Sequence, residues 1–220
     1  MVQMMKSNYF NYKRLEILLA FLLIPLAYSS IDMPVITVSF IFFPAIIADI
    51  FYYENKSRSN RCFVSLPLTG KTIVHARYIY FLFFFMLIVL FQWGTAYGID
   101  WITGEADYLY TWKIAITVFL FGLVITALTL PLFYLFKSFY SAIITTGILI
   151  FILFYQSLDP LVTVLNMGDY IIFNHVDYGF PLLVEAYVPF CPYITLLIIA
   201  LVLYYLSSKL SVVFFNRKDK

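Results

Sequence analysis

The chain has 220 residues, of which 63% are hydrophobic, 21% aromatic and only 12% charged, with a formal net charge of +2. That composition excludes a water-soluble globular domain, because nearly two thirds apolar residues have no interior large enough to hide in. A bilayer accepts them if every backbone polar group bonds internally, and long continuous apolar runs then select helices over a closed barrel.

Stretches of about 20 uncharged residues, enough to cross a hydrocarbon core of roughly 30 Å, predict six helices near 15–31, 33–53, 76–98, 112–136, 138–158 and 189–209. The N-terminal arm, 1–14, mixes Tyr9, Phe10 and Tyr12 with Lys6 and Lys13, a pattern for lying at the lipid interface or for a disordered tail. The first helix also has the layout of a signal peptide, with Lys13 and Arg14 ahead of an apolar run and small residues from Ala27 to Ser30. Asp32-Met33-Pro34 favours retention, since it reads as a tight reversal in which Asp32 caps the second helix. Pro25, Pro44 and Pro131 fall inside helices one, two and four and are expected to kink them, as packing accommodation more often than as gates.

The third helix is the least ambiguous. Between Ile79 and Phe91 it holds eleven Ile, Leu, Val or Phe residues, together about −3 to −7 kcal/mol on the insertion scale. Toward its far end, Gly94 and Gly98 have the spacing that lets two helices approach closely; packing within the chain is the first expectation, a subunit contact the second. Between helices five and six, residues 159–188 form an outer loop too long for a turn, its apolar clusters suiting short helices that dip into the outer leaflet or a cap over an exit.

The basic residues set the sidedness. Lys6, Lys13 and Arg14, then Lys56, Arg58, Arg61, Lys71 and Arg77, then Lys137, then Lys209, Arg217, Lys218 and Lys220 lie in alternate gaps. The remaining gaps hold only Lys113 among basic residues, with Asp32, Asp100, Glu105, Asp107, Asp159, Asp169, Asp177 and Glu185. By the positive-inside rule the first set is cytoplasmic, so both termini are inside, and the basic balance reads as orientation rather than nucleic-acid binding. Cys62 and Cys191 fall on opposite sides, so neither a disulfide nor a zinc site is expected. His75 and His175 are likewise separated.

The segment 54–77 is too polar to insert. From Glu54 to Leu66, Arg58 and Arg61 stand three apart while Cys62, Phe63 and Leu66 fall on one helical face, which predicts a short amphipathic helix. Pro67 ends it, and Thr69 is placed to cap the run into helix three. Such a helix could rest on lipid phosphates or dock a soluble partner; the protruding Leu66-Pro67-Leu68 corner favours docking.

Glu54, Ser65-Leu66-Pro67-Leu68-Thr69, Lys71, Ile73-Val74 and Arg77-Tyr78, placed after the second of six helices, resemble permeases of the type 2 ATP-binding-cassette exporter family. Gly70 stands where that pattern has Arg, and His75 where it has an apolar residue. The resemblance implies a single permease domain over 1–220, paired with a second permease subunit. It implies that 54–77 is a coupling segment seated in a groove of a cytosolic ABC ATPase, with Glu54, Arg58, Arg61, Phe63, Leu66, Pro67, Leu68, Lys71 and Arg77 as the docking residues. Re-entrant outer helices and an interfacial arm are implied as well.

Catalytic chemistry is not expected of the chain itself. Gly70-Lys71-Thr72 imitates the end of a phosphate-binding loop, but Ser65 stands where that loop needs Gly, and no strand precedes it. ATP and Mg would therefore be bound by the partner ATPase, with no cofactor or metal held directly. Asn55-Lys56-Ser57 is a glycosylation pattern on the wrong side of the membrane. Helix centres carry Gln92 and several threonines but no charge, which disfavours an ion-coupled carrier and an intramembrane hydrolase; Asp49 near the inner end of helix two reads as structural. The reading is a multi-pass protein of the plasma membrane, its Lys, Asn, Ile, Phe and Tyr bias fitting an AT-rich bacterial genome. Its expected cargo is hydrophobic or amphipathic, such as a peptide, lipid or drug, with antimicrobial or toxin peptides a natural instance. A non-transporting membrane anchor or scaffold subunit is the first alternative, and an ion-coupled secondary carrier the second.

Overall fold

A computed structural model describes residues 35–57, 69–103, 111–166 and 173–218, all in helices and the short links between them. A π-helical stretch, Val35–Phe42, runs directly into α1 (Phe43–Ser57); α2 is Gly70–Thr103, α3 Trp112–Leu135, α4 Phe139–Val164, α5 Phe173–Tyr187 and α6 Pro192–Lys218. Five of these segments are long and apolar enough to cross a membrane: Val35–Lys56, Gly70–Gly98, Trp112–Leu135, Phe139–Val164 and Pro192–Arg217. They match the second, third, fourth, fifth and sixth predicted spans. The first predicted span, the interfacial arm and the amphipathic stretch with Arg58, Arg61, Phe63, Leu66, Pro67 and Leu68 lie outside the described residues.

The helix ends correct the sequence reading in several places. The second predicted span extends beyond 53 to Ser57, so Glu54 belongs to its last turn. The third begins at Gly70 rather than 76. Thr69 accepts the Thr72 amide at 3.3 Å, the expected cap. The fifth does not stop at 158 but passes through Pro160 to Val164. It ends as Asn166 turns left-handed at φ 51°, a conformation that asparagine tolerates better than most residues. Within the outer loop stands the 15-residue α5, which contains Pro181.

α3 is the hub. It packs most extensively on α6 and also touches the π-helical stretch and α1, α2, α4 and α5. Its central face is cut to fit: a β-carbon at Gly122 would overlap the Phe43 ring, and Phe43 in turn stacks on Phe85 of α2 with centroids 3.9 Å apart. Nearby the Ser39 hydroxyl donates to the Val118 carbonyl at 2.9 Å. Pro44 lies two residues past the end of the π-helical stretch, where a wider turn accommodates a residue that cannot donate to the ladder.

Gly94 and Gly98 pack against none of the described residues. Among the described residues nothing lies within 4 Å of where their β-carbons would be, and Leu87, Leu90, Tyr97 and Trp101 are exposed around them. The close approach that their spacing foretold falls instead at Gly122 and at Gly179, where a β-carbon would press on Leu161 and Leu165 of α4.

Replacing Gly122 by alanine should therefore destabilise the chain by about 1–3 kcal/mol, the usual cost of overpacking. Pairing it with Phe43→Leu should recover part of the loss. Thermal unfolding of the two variants in detergent checks this; an unshifted Gly122→Ala midpoint would count against the packing described.

Candidate functional site

Two networks meet at the basic end of α2, built on the adjacent residues Arg77 and Tyr78. In the first, the Arg77 guanidinium lies 2.6 Å from the Glu54 carboxylate of α1, with the two side chains only 2% and 5% exposed. Arg77 also donates to the Tyr134 hydroxyl of α3 at 3.1 Å and lies 4.9 Å from the centroid of the Phe51 ring. Phe51 stacks on Phe133 and meets Tyr134 edge-on, so the cation sits in an aromatic box. The arrangement suits a delocalised, weakly hydrated guanidinium better than a lysine ammonium.

The second network is made of hydroxyls. Pro131 has no amide hydrogen, so the carbonyl of Ala127, one turn earlier, loses its helical donor. Ser207 of α6 takes it over, donating to the Ala127 oxygen at 2.5 Å. Having one proton and having spent it there, Ser207 must accept from the Tyr78 hydroxyl, 2.7 Å away. Tyr78 must then accept from Ser211 at 2.8 Å. Tyr204 completes the set by donating to the Tyr78 backbone carbonyl at 2.7 Å.

Together these bonds fasten the start of α2 to α1, α3 and α6. Of the nine residues expected to dock a partner, Glu54 and Arg77 are brought together, buried and turned toward each other. Lys71 is exposed at the second position of α2, and the other six are outside the described residues. Gly70, the departure from the family pattern, lies against α6: a β-carbon there would meet Asn216 and Phe215, so a larger residue would need those side chains to move.

Tyr134, Tyr204, Ser207 and Ser211 escaped the sequence reading. Their signal was present, since Tyr204, Ser207 and Ser211 share one helical face and Pro131 announces an orphan carbonyl.

A looser clasp lies at the opposite, acidic end. Lys113 at the start of α3 bonds Glu185 of α5 at 2.7 Å, both part-exposed, and Tyr193 of α6 donates to the same carboxylate at 3.0 Å. These two bonds, the lysine's foremost, hold the Glu185 carboxyl below its ordinary pKa. Between α2 and α3 on this side runs an apolar cleft of about 300 Å³, lined by Met86, Val89, Leu90, Trp93, Trp112, Ala115, Ile116 and Phe119.

These features define a polytopic membrane protein whose buried polar groups fasten helices rather than perform chemistry. The chain matches the family model described as ABC-2 family transporter protein over residues 3–216, and it belongs to that family. Its members are transport permeases, not themselves catalytic, and membership implies an ABC ATPase as partner. No curated protein and no solved structure matches it significantly.

Two outcomes are expected. Glu54→Gln should cost about 3–5 kcal/mol, because it leaves the guanidinium buried without its counter-charge, while replacing both partners with Glu54→Leu and Arg77→Met should cost much less. Denaturant titration of the two variants distinguishes these results, and equal losses would contradict the pairing. At the acidic end, the depressed Glu185 pKa contributes stability that is present above the unfolded-state value and lost as pH falls through the folded-state one. The difference in stability between the native chain and Glu185→Gln should therefore shrink on acidification below the ordinary carboxylate range. A pH-independent gap would remove the clasp.

Proposed function

We propose that the chain is the permease half of an exporter, working with a second permease subunit and driven by a separate ATPase that grips the segment between α1 and α2. Arg58, Arg61, Phe63, Leu66, Pro67 and Leu68 make the contact, and Glu54 and Arg77 hold the two ends of the segment to the bundle. The observation that carries this reading is the buried Glu54–Arg77 pair. It joins the helix entering the segment to the helix leaving it, so a push on the segment moves both.

ATP-driven approach of two ATPase subunits would shift the segments and bias the paired permeases between inward-facing and outward-facing packing. Cargo is hydrophobic or amphipathic, an amphipathic peptide being the natural instance; the wholly apolar cleft between α2 and α3 supports that class over small ions. The plasma membrane of a bacterium is the proposed location, with segment 54–77 and both termini on the cytoplasmic side and α5 dipping into the outer leaflet.

Co-expression with an ABC ATPase and co-purification test the docking. Leu66→Asp should leave membrane insertion intact and abolish association; undiminished co-purification would overturn the assignment. Cargo-stimulated ATP turnover in vesicles distinguishes a transporter from an anchor, which would bind the ATPase without coupling turnover to cargo.

A further inference from the structure

At their basic ends α2 and α3 are joined by the bond from Arg77 to Tyr134. Toward the acidic end the seam between them opens into the apolar cleft of about 300 Å³. Each helix lines it with positions i, i+3, i+4 and i+7, from Met86 to Trp93 on α2 and from Trp112 to Phe119 on α3, so the cleft follows one face of each helix for about 10 Å.

Burial separates its floor from its mouth. Val89 and Ala115 are only 5% and 7% exposed, whereas Leu90 is 49% exposed and Met86 and Ile116 are exposed beside it. Both helices are long and apolar enough to span a membrane, so this mouth opens sideways onto hydrocarbon. Trp93 and Trp112 stand at the end nearer the water, where indole rings collect, and Met86 and Phe119 at the deeper end.

Chemistry and size then limit the occupant. No lining residue carries a charge or a hydroxyl, and a water molecule needs about two to four polar partners to stay. A further helix, about 10 Å thick with its side chains, is too broad for the volume over that length. The cleft is about twice the cavity of ~150 Å³ that admits benzene, which leaves room for one slim hydrocarbon chain of about a dozen carbons. Left empty, the lining would forfeit its dispersion contacts while fluid chains lay at the mouth.

We propose that this seam binds one acyl chain of a bilayer phospholipid from the leaflet at the acidic end, the chain lying against Val89 and Ala115 and the head beside Trp93 and Trp112. The chain supplies the packing between α2 and α3 that their side chains leave out, so the two helices close there only by expelling it. The site stands on the membrane-spanning arrangement rather than on the ATPase contact, and hydrophobic cargo reaching the cleft would have to displace this lipid.

The test uses the full chain in phosphatidylcholine bilayers doped with a phosphatidylcholine that carries a diazirine midway along one acyl chain. After irradiation, the adducts are located by peptide mass spectrometry. Lipid at the protein surface should label Ile144 and Ile148, which are exposed on α4. Only a chain within the seam reaches Val89 and Ala115, and both should be labelled, while Leu120 and Leu123, buried in the core, stay clean. Ala115→Leu fills the floor and should abolish the Val89 adduct without changing that at Ile144. Leu90→Trp narrows the mouth from an exposed position and should lower the Val89 adduct several-fold, which keeps the test open if the first variant fails to fold; thermal midpoints report folding. Adducts at Ile144 and Ile148 with none at Val89 or Ala115, or a Val89 adduct undiminished in the folded variants, would overturn the site. Loss of ATPase co-purification or of cargo-stimulated turnover bears on the exporter reading alone and leaves the labelling intact.

Discussion

The fold turns on one buried ion pair. A carboxylate or a guanidinium withdrawn from water at the edge of a bilayer is costly alone, and the two become tolerable only when each neutralises the other and the remaining donors are engaged. Glu54 and Arg77 neutralise each other through their direct contact, while the Tyr134 hydroxyl takes a further guanidinium donor and the Phe51 ring flanks the cation. The constraint is geometric as well as energetic. Because the two charges meet each other across the segment that joins their helices, α1 and α2 converge at the point where the chain leaves and re-enters the membrane.

The hydroxyl network extends that convergence to the remaining helices. Pro131 opens a gap in the α3 ladder, and the resulting free carbonyl is a directional acceptor in surroundings that offer no water. Ser207 fills it, and the proton count fixes the sense of every bond back to Ser211. In effect, a proline that would weaken an isolated helix specifies how α6 is set against α3 and α2. The same residue had been expected to act through a kink; its visible consequence is a bond between helices.

Hydropathy made the spans legible because insertion depends on summed side-chain transfer, which sequence contains in full. Their limits were less so: α2 starts before the apolar core of its span and α4 continues past Asp159 and Pro160, because a helix can extend beyond the hydrocarbon once its backbone bonds are made. Glu54 and Arg77 were singled out as motif residues, yet read as surface charges, since nothing local tells a solvated charge from one matched by a partner across a loop. Gly94 and Gly98 show the converse. A small-residue spacing permits close approach without requiring it, and the face that was used is set by where Phe43 had to go, over Gly122. The motif's own irregularity at Gly70 became intelligible only when α6 was seen to occupy the space.

The two ends of the bundle are held in different ways, and the difference has mechanical meaning for a permease. At the basic end the polar contacts are buried, shielded from salt, and link α2 to three helices at once, so under the drive proposed above a push on the segment between α1 and α2 would reach α1, α2, α3 and α6 as a unit. At the acidic end, α3, α5 and α6 are joined through a part-exposed carboxylate, whose bonds compete with water and are weakened by salt. Under that proposed drive, displacement introduced at the tightly fastened end would be relieved at the loosely fastened one. A pathway driven from the segment side would open first around Glu185, where α5 lies across the starts of α3 and α6, while the ion pair and hydroxyl chain persist as the pivot.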